Sequence, residues 1–363
     1  SRGCLQFCGT RTLRWAGRAW QPQNLPRDAF AAHEVDDLIV KANSLSYDDF
    51  KQHYPDPLKS VSMCMRGLVV PDIGKVLIMA DYSQIEARLV AWYAGQWDAL
   101  EVYETGGDIY KEMASAVFSR PAEDITKAQR HIGKCLVLGS GYGLGWRGLQ
   151  RNLLQQGTVA NDEDAQLYTK TFREKWSGIP QFWWAIKEAL FTVFDNGGVL
   201  YHSRMGKNGK PERTGMKFGK AGKSIYIELA TGLRCWFHGV KKTREPTPWD
   251  KTQKHTVLKA RNYNFDGGYS EYTITHMIMA ENICSMTARE LMAAGMKRLN
   301  HEGYEIIMTV HDEIVMETDE FSREWDEEKH TLEEVEDLMC KRPDWGQDIP
   351  LAVEATVDYR YGK

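Results

Sequence analysis

The sequence predicts an α+β protein whose core is an antiparallel sheet. Residues 76–80 (VLIMA) form an apolar run with the length of a buried strand, and Asp81 ends it. Residues 306–310 and 314–316 are two further apolar runs, separated by the short turn 311–313, which is the pattern of a tight hairpin. Helical periodicity occurs between these segments, so helix and strand signals are mixed along the chain.

The remaining elements follow from periodicity and from capping or breaking residues. Residues 1–60 are predicted to be irregular, because arginines lie there among Trp, Gln and Asn residues. The predicted helices are 85–93, 108–118 with Asp108 as the cap, one from Asp124 or Thr126 to the glycines at 139–145, two in 162–196 divided at 178–180, 275–300, and 322–341. Residues 197–268 are predicted to form hairpins and loops with a strand at 224–229, and 350–357 is the last predicted strand.

Length and composition exclude several classes of protein. The 363 residues suggest two or three domains at about 150 residues each. An apolar content of 42% and a charged content of 26% exclude a disordered, collagen-like or heptad-repeat chain. No apolar run approaches the roughly 18–20 residues of a membrane helix, and no secretion signal is recognisable. The seven cysteines lack zinc spacing, so reduced thiols in a cytoplasmic protein are expected.

Charge is distributed unevenly along the chain. The net charge of −4 argues weakly against a nucleic-acid partner. However, residues 199–263 contain 15 Lys or Arg and 4 Asp or Glu, a net +11, whereas residues 312–358 contain 4 and 17, a net −13. This asymmetry is typical of a protein with one anion-binding face. The alternative is a solvated basic hairpin and a solvated acidic helix.

Two carboxylates have the chemistry of metal ligands. Asp81 ends an apolar strand, and Asp312 lies in the hairpin between two others. Two carboxylates brought together repel each other unless a cation lies between them. Mg²⁺ binds one or two carboxylates together with substrate phosphates, so it is the expected ion. The alternative is that each Asp simply ends a strand.

A second set of residues recurs every four positions. Arg130, Lys134, Leu138 and Tyr142 drift by only about 40° per step on a helix, so they form one stripe. Two cations one turn apart suit a polyphosphate, and the Leu and Tyr beyond them would then face a sugar and a base. The alternative is a solvated Arg–Lys pair beside core residues.

These segments together resemble the family A DNA polymerases, the bacterial DNA polymerase I type. Residues 81–88 (DYSQIEAR) resemble the first catalytic motif, residues 130–143 the fingers-helix motif, and residues 310–313 (VHDE) the second catalytic motif. Residues 12–14 and 21–26 (QPQNLP) resemble the primer-binding segment. The order and separations also fit, and residues 229–234 (LATGLR), 281–282 and 288–289 are similar to the bacteriophage branch.

The resemblance implies a polymerase palm, an antiparallel sheet backed by helices, with a mainly helical fingers subdomain. Residues 1–83 would be the first part of the palm with the primer-binding segment, 84–270 the fingers and connecting hairpins, and 271–363 the second part of the palm with the catalytic hairpin. The thumb is not recognised in this sequence, so an upstream segment or polypeptide is expected to carry it together with any exonuclease.

The resemblance also implies an activity. The chain would add deoxynucleotides to a primer 3′-hydroxyl by two-metal-ion nucleotidyl transfer and release pyrophosphate. Its partners would be primer–template DNA and deoxynucleoside triphosphates. The expected setting is phage DNA replication, in the host cytoplasm, as the C-terminal portion of a longer or split polymerase.

Residue roles carry over by similarity. The two Mg²⁺ ions would be held by Asp81, the Tyr82 carbonyl and Asp312, with Glu313 in support. The incoming nucleotide would be bound by Arg130, Lys134, Leu138, Tyr142, Glu86, Gln84 and Tyr110, with Lys134 also protonating the pyrophosphate. Glu86 would exclude a 2′-hydroxyl by its bulk and by a hydrogen bond to Tyr142. Arg14, Gln23 and His311 would contact the primer terminus from the minor-groove side, and Tyr142 would contact the DNA at the template–base pocket.

Four positions depart from the family pattern. Leu138 replaces an aromatic residue, Tyr110 a histidine, Leu13 a glycine, and Ser285 a glutamine, whose template-contacting role is not carried over. Three alternatives stay open: a single-subunit RNA polymerase, against which Glu86 argues, a DNA-binding fragment inactive without its thumb, and an unrelated metal hydrolase built on residues 311–313.

Overall fold

A computed structural model describes residues 5–18, 20–26, 29–247, 250–263, 267–319 and 332–362. The strands in these ranges are β1 Leu5–Gln6, β2 Ala16–Gly17, β3 Lys75–Tyr82, β4 Val199–Met205, β5 Pro211–Ala221, β6 Ser224–Glu228, β7 Arg234–Pro246, β8 Lys254–Tyr263, β9 Tyr269–Thr273, β10 Glu305–Val310, β11 Glu313–Asp319 and β12 Val353–Asp358.

The helices are α1 Ala32–Ser44, α2 Tyr47–His53, α3 Pro57–Cys64, α4 Ile85–Ala94, α5 Trp97–Glu104, α6 Ile109–Phe118, α7 Lys127–Cys135, α8 Trp146–Gln155, α9 Asp162–Lys175, α10 Gly178–Asn196, α11 His276–His301 and α12 Leu332–Cys340. The π-helical segment Leu136–Ser140 follows α7 directly. In the part of the chain covered by the structure, no helix is long and apolar enough to cross a membrane. The helices together with the antiparallel sheets confirm the predicted α+β class.

The chain divides into two compact units. The first unit comprises Ser1–Ser83, Arg289–Lys341 and Leu351–Lys363, and the second comprises Gln84–Ala288 and Arg342–Pro350. The candidate metal and primer residues lie in the first unit, whereas the candidate nucleotide residues lie in the second.

The first unit is built on a four-stranded antiparallel sheet in the order β10-β11-β3-β12. The apolar run of β3 is buried, and β11 and β12 pair with it on either side, so its backbone is hydrogen-bonded along both edges. A core cluster on this sheet includes Leu77, Met79, Val310 and Val315. Both the buried strand and the catalytic-type hairpin are thus present, although β3 continues through Asp81 to Tyr82 rather than ending at residue 80.

The prediction of irregular structure for residues 1–60 is wrong over residues 32–60. Helices α1 and α2 and the start of α3 lie there, and Val35, Leu38, Phe50 and Cys64 form a buried cluster. These helices are short and each buries only one to two apolar residues, so their periodicity is weak. Their capping signals are clear, however, since Ser46 and Asp56 accept hydrogen bonds from backbone N–H groups at the starts of α2 and α3.

The second unit combines helices α4–α10 with a six-stranded antiparallel sheet in the order β4-β5-β6-β7-β8-β9. Helix α10 packs against β4, β5 and β6 through its apolar face, which includes Phe182, Ile186 and Leu190. The prediction for residues 197–268 was incomplete, because the predicted strand at 224–229 is β6 and the neighbouring segments are strands of the same sheet.

Most helix predictions in the second unit are confirmed. Asp108 caps α6, and Thr126 rather than Asp124 caps α7. Helices α9 and α10 are separate, as expected, but the break lies at residues 176–177 and residues 178–180 begin α10. The predicted helix 322–341 is seen as α12 in its C-terminal part, and residues 320–331 lie outside the described residues.

Candidate active site

The end of β3 carries the first candidate carboxylate. Asp81 pairs in register with Glu313 on β11, and the Tyr82 N–H donates a hydrogen bond to the Asp312 main-chain oxygen across 3.3 Å. The turn between β10 and β11 therefore lies at this end of β3. His311 occupies the turn in the left-handed backbone region at φ 55°, and its side chain is exposed.

Asp312 is held by an ion pair with the N-terminal loop. The Arg14 Nη2 donates to Asp312 Oδ1 across 2.9 Å, and both side chains are 24% exposed. A cation thus already balances one of the two candidate metal carboxylates. A metal ion at Asp312 would therefore have to compete with the Arg14 guanidinium for this carboxylate.

Glu313 is buried and has a partner that the sequence did not indicate. The Tyr361 hydroxyl donates a hydrogen bond to Glu313 Oε2 across 2.7 Å. Burial and the adjacent Glu313 charge raise the pKa of Tyr361, so the phenol stays protonated and remains a donor. The Arg66 guanidinium lies 5.4 Å from the centre of the Tyr361 ring. Glu313 is therefore fixed from the C-terminal segment.

Only the main chain of Tyr82 is available for the predicted metal role, because its side chain is buried and bonded elsewhere. The hydroxyl donates to the Met339 carbonyl across 2.9 Å and to the Leu291 carbonyl across 3.3 Å. The residue is 3% exposed, and burial raises the pKa of its hydroxyl. This anchoring fixes the backbone next to Asp81.

The candidate primer residues line one cavity. Its volume is about 330 Å³, and its walls include Arg14, Gln23, Arg289, His311 and Asp312. Arg289 was not predicted to be a site residue. The sequence indicated it only as part of a bacteriophage-like pair of residues. Its position within the predicted helix 275–300, which is α11, was the one signal that could have identified it.

Leu13, which replaces a glycine of the family pattern, lies in the loop before Arg14 and adopts a backbone conformation typical of glycine. Leu13 has φ 60°, in the left-handed region that favours glycine. The Leu13 N–H donates to the Thr10 carbonyl and the Arg14 N–H to the Thr10 hydroxyl, both across 3.0 Å. These bonds hold a conformation that costs a side-chain-bearing residue about 1–2 kcal/mol.

The second unit places the candidate phosphate ligands on α7. The Arg130 Nε lies 2.5 Å from Asp108 Oδ2, and its guanidinium lies 5.1 Å from the centre of the Tyr110 ring. Asp108 uses its other oxygen to cap α6 at the backbone N–H groups of Tyr110 and Lys111. Burial opposes ionisation, but the hydrogen bonds and charge of Arg130 outweigh it and lower the pKa of Asp108. Tyr110 itself is only 6% exposed.

The predicted four-residue stripe is altered beyond Lys134. The α-helix ends at Cys135 and continues as the π-helical segment Leu136–Ser140, so Tyr142 lies past the helix rather than on it. Glycines at 139 and 141 have low helix propensity, and π segments are frequent at functional sites. Lys134 is exposed, and Leu138 is 44% exposed on the π segment.

Glu86 and Tyr142 are joined as expected. The Tyr142 hydroxyl donates to Glu86 Oε2 across 3.1 Å. Glu86 lies in the first turn of α4, next to Gln84, an exposed residue with φ 54° before the helix. The two residues are 56 positions apart in the sequence, so this hydrogen bond joins α4 to the residues that follow the π-helical segment.

The carboxylates fit a hard divalent ion through few protein ligands. Over the described ranges, no group of three or more His, Cys, Asp or Glu has the arrangement of a metal site. Mg²⁺ requires fewer, because one or two carboxylates suffice when substrate phosphates supply the other oxygens. Asp81, Asp312 and the Tyr82 carbonyl match that donor set.

Comparisons with known proteins give one family. Residues 56–193 match the model described as DNA polymerase family A. The DNA polymerase of Bacillus phage SP02 is 29% identical over 374 residues, which cover 100% of this chain and 52% of the phage protein. DNA polymerase I of Lactococcus lactis subsp. cremoris is 32% identical over 333 residues, covering 91% and 30%. The chain thus spans about half of the phage relative and less of the bacterial one.

A solved structure has a similar fold. It is described as the POL domain of Pol1 from M. smegmatis in complex with DNA primer-template and dNTP. The TM-score is 0.56 at 17% identity, and the match covers 99% of this chain and 47% of that one. At this identity the likeness concerns the fold.

Proposed function

We propose that this chain, whose residues 56–193 belong to DNA polymerase family A, catalyses template-directed DNA synthesis. The motif resemblance predicted from the sequence is confirmed, and the activity is the step that we add. The observation that carries it is the β3–β11 pair, which sets Asp81 opposite Glu313 and places the Asp312 turn at the end of β3.

The subdomain assignment is part of the proposal. Residues 1–83 and 271–363 would form the palm and residues 84–270 the fingers. The four-stranded sheet supports a palm, and the helices from α4 to α10 support the fingers. The compact units divide differently near the end, since residues up to 288 and residues 342–350 group with the second unit.

Two Mg²⁺ ions would be held by Asp81, Asp312 and the Tyr82 carbonyl. When bound, these ions would lower the pKa of the primer 3′-hydroxyl and stabilise the charge on the departing pyrophosphate. Glu313 would keep the hairpin in place through its bond to Tyr361 without being an obligatory ligand. Arg14 would leave Asp312 for the primer when the ions are bound.

The incoming nucleotide would be gripped by α7. Arg130 and Lys134 would bind its β- and γ-phosphates, and Lys134 would donate a proton to the pyrophosphate. The ion pair with Asp108 uses Arg130 Nε, so phosphate oxygens are assigned to the terminal guanidinium nitrogens. Tyr110 would act through the guanidinium above its ring, because its own side chain is buried.

Two groups of residues would test the substrates: one at the sugar of the incoming nucleotide and one at the primer terminus. The Glu86 carboxylate, joined to Tyr142, would occupy the space of a 2′-hydroxyl, and Gln84 would lie beside the nucleotide. Arg14, Gln23 and His311 would contact the primer terminus from the minor groove, where acceptors are nearly the same for all four base pairs. Such contacts test the shape of a pair without reading its sequence.

The chain would work with an upstream segment or polypeptide that carries the thumb and any exonuclease, in phage DNA replication. The support is that the match covers 100% of this chain but only 52% of the phage relative. A fragment that binds DNA but is inactive alone is the second candidate, and the same coverage favours it.

Primer extension tests the proposal. The chain, alone and mixed with the polypeptide encoded upstream, is given a recessed primer–template and either deoxy- or ribonucleotides. We expect extension with deoxynucleotides, and Glu86→Ala to raise the ratio of ribonucleotide to deoxynucleotide incorporation by at least tenfold.

Tyr142→Phe separates the two contributions, since it removes only the hydrogen bond and retains the Glu86 carboxylate, and it should raise the ratio less than Glu86→Ala does. A preference of the unsubstituted chain for ribonucleotides would identify an RNA polymerase instead. DNA binding without extension in either mixture would leave the DNA-binding fragment as the function.

A further inference from the structure

One face of the six-stranded sheet is open to solvent and rich in rings and cations. Helix α10 packs on the opposite face, where Phe218, Ile227 and Phe237 are buried. The open face carries Tyr201 on β4 and Tyr269 on β9, both 51% exposed. This face carries none of the residues assigned to the proposed active site.

The strand register aligns the polar groups of this face into one row. Tyr201 on β4 pairs with Lys217 on β5, Lys217 with Glu228 on β6, and Glu228 with Arg234 on β7. Because paired residues on neighbouring strands point to the same face, these four side chains form one line across the sheet. The line crosses three strand spacings, or about 14 Å.

A second row adds aromatic rings. Tyr226 on β6 pairs with Trp236 on β7, and their ring centres are 5.0 Å apart. The ring of His238 is stacked parallel to Trp236 at 6.2 Å. Gly219 lies beneath the Tyr226 ring, where an added Cβ would come within 2.3 Å of the ring. Only glycine at this position lets the ring lie flat on the sheet.

Guanidinium groups stack on these rings. Arg213 lies 4.5 Å from the centre of the Tyr201 ring, and Arg261 lies 4.4 Å from that of Tyr269. Arg234 lies 4.7 Å from the Tyr226 ring and 6.0 Å from Trp236. Rings and guanidinium planes therefore alternate over the face, and Arg234 keeps 47% of its side chain exposed.

A buried acid fixes the central cations. Glu228 is 6% exposed and lies 2.6 Å from Lys217 Nζ and 2.5 Å from Arg234 Nε. Burial opposes its charge, but the two hydrogen bonds outweigh burial and lower the pKa of Glu228. The two cations are thereby held in place instead of moving freely in solvent.

The excess of cations in this region favours an anionic partner. Residues 199–263 contain 15 Lys or Arg against 4 Asp or Glu. A sheet face with aligned rings, guanidinium planes and net positive charge matches the requirements of unpaired bases on a phosphate backbone. Duplex DNA offers the phosphates but keeps its base faces stacked internally.

We propose that this open sheet face, defined by Tyr201, Arg213, Lys217, Tyr226, Arg234, Trp236, Arg261 and Tyr269, binds single-stranded DNA. Bases stack on the exposed rings and guanidinium planes, and the fixed cations contact phosphates. This site lies outside the proposed active-site residues, so binding here stands even if the proposed catalytic activity fails.

Fluorescence anisotropy of the full chain tests the site. The probes are a labelled oligothymidylate of 20 nucleotides, an abasic strand of the same length and a blunt duplex, with EDTA present. We expect the oligothymidylate to bind at least tenfold more tightly than the abasic strand, because the two strands carry the same phosphates and differ in bases.

Two double variants separate this face from general positive charge. Arg213→Gln with Arg234→Gln should weaken oligothymidylate binding about tenfold and lower its salt dependence. Lys207→Gln with Lys210→Gln removes the same charge from the exposed β4–β5 turn and should change binding less than twofold. Circular dichroism checks that both variants fold.

Tyr226→Leu tests stacking without a change in charge and should narrow the difference between the thymidylate and abasic strands. Equal binding of those two strands, equal effects of the two double variants, or tighter binding of the duplex would each overturn the proposal.

Discussion

The Arg14 guanidinium donates a hydrogen bond to the Asp312 carboxylate across 2.9 Å, joining the N-terminal loop to the β10–β11 hairpin. The two residues are 298 positions apart in the sequence. In the proposed mechanism Asp312 binds metal and Arg14 contacts the primer, so each residue uses its functional group in this ion pair. The proposed mechanism therefore couples metal binding to primer contact through this ion pair.

Arg14→Ala should affect metal binding and catalysis in opposite directions. Removing the guanidinium removes one cation that competes with a metal ion for Asp312, so Mn²⁺, measured by electron paramagnetic resonance, should bind several-fold more tightly. Single-turnover nucleotide incorporation should fall at least tenfold, because the primer contact is lost. Arg14→Lys keeps the charge but not the planar geometry. Its Mn²⁺ affinity should therefore be close to that of the unsubstituted chain, whereas its incorporation rate should stay low. Weaker Mn²⁺ binding in Arg14→Ala would contradict this account.

Asp108 variants should separate nucleotide binding from helix capping. Asp108→Asn retains an oxygen that can cap α6 but loses the ion pair with Arg130, so the Michaelis constant for nucleotide should rise about tenfold with little loss of stability. Asp108→Ala loses both interactions and should also destabilise the protein by about 1 kcal/mol. Steady-state kinetics and denaturant unfolding measure the two effects. Equal stability of the two variants would refute the capping role.

Leu138→Phe should accelerate nucleotide insertion. Leu138 lies exposed on the π segment, and its side chain lacks the flat face that an aromatic residue offers to a base. Single-turnover insertion should become faster, and discrimination against a 3′-deoxy sugar should change. Leu138→Met is the control, since it alters the shape without adding a ring. The idea fails if Leu138→Phe leaves the insertion rate unchanged.

His202 should make the second unit less stable in acid. Burial, with a smaller contribution from the Arg204 charge, lowers the pKa of His202 from 6.5 to about 4. Between these values the unfolded chain binds the proton and the folded chain does not, so the free energy of unfolding falls as the pH drops from 6.5 towards 4. The full effect approaches about 3 kcal/mol.

Denaturant unfolding of His202→Gln at pH 7 and pH 4 measures this effect. The variant should lose less stability on acidification than the unsubstituted chain, whereas His238→Gln on the exposed sheet face should not differ from it. Identical pH dependence of all three proteins would show that His202 carries no such linkage.

The predictable parts of the fold are those with strong local signals. The apolar run of β3, the hairpin around residue 312 and the cap at Asp108 each depend on neighbours in the sequence, and all three are present. Helices α1 and α2 were missed because each buries only one to two apolar residues. Residues 197–268 were predicted to contain hairpins, but only β6 was delimited, because each of the other strands depends on its partner strand for burial.

Long-range partners in the candidate site were not predictable. Tyr361 reaches Glu313 over 48 positions, and Asp108 pairs with Arg130 over 22, contacts that no local pattern specifies. The hydrogen bond between Glu86 and Tyr142 was expected only because of the family resemblance. The π segment after α7 was not expected, since periodicity assumed one continuous helix.

Single-turnover incorporation by Asp81→Asn and Asp312→Asn is the most direct test of the central claim that these carboxylates catalyse DNA synthesis. Asp358→Asn, an exposed acid on β12 of the same sheet, is the control. The account predicts a loss of more than about a thousandfold in both active-site variants, with primer–template affinity within about threefold of the unsubstituted chain and a normal rate in the control. Incorporation close to the unsubstituted rate in either variant would contradict it.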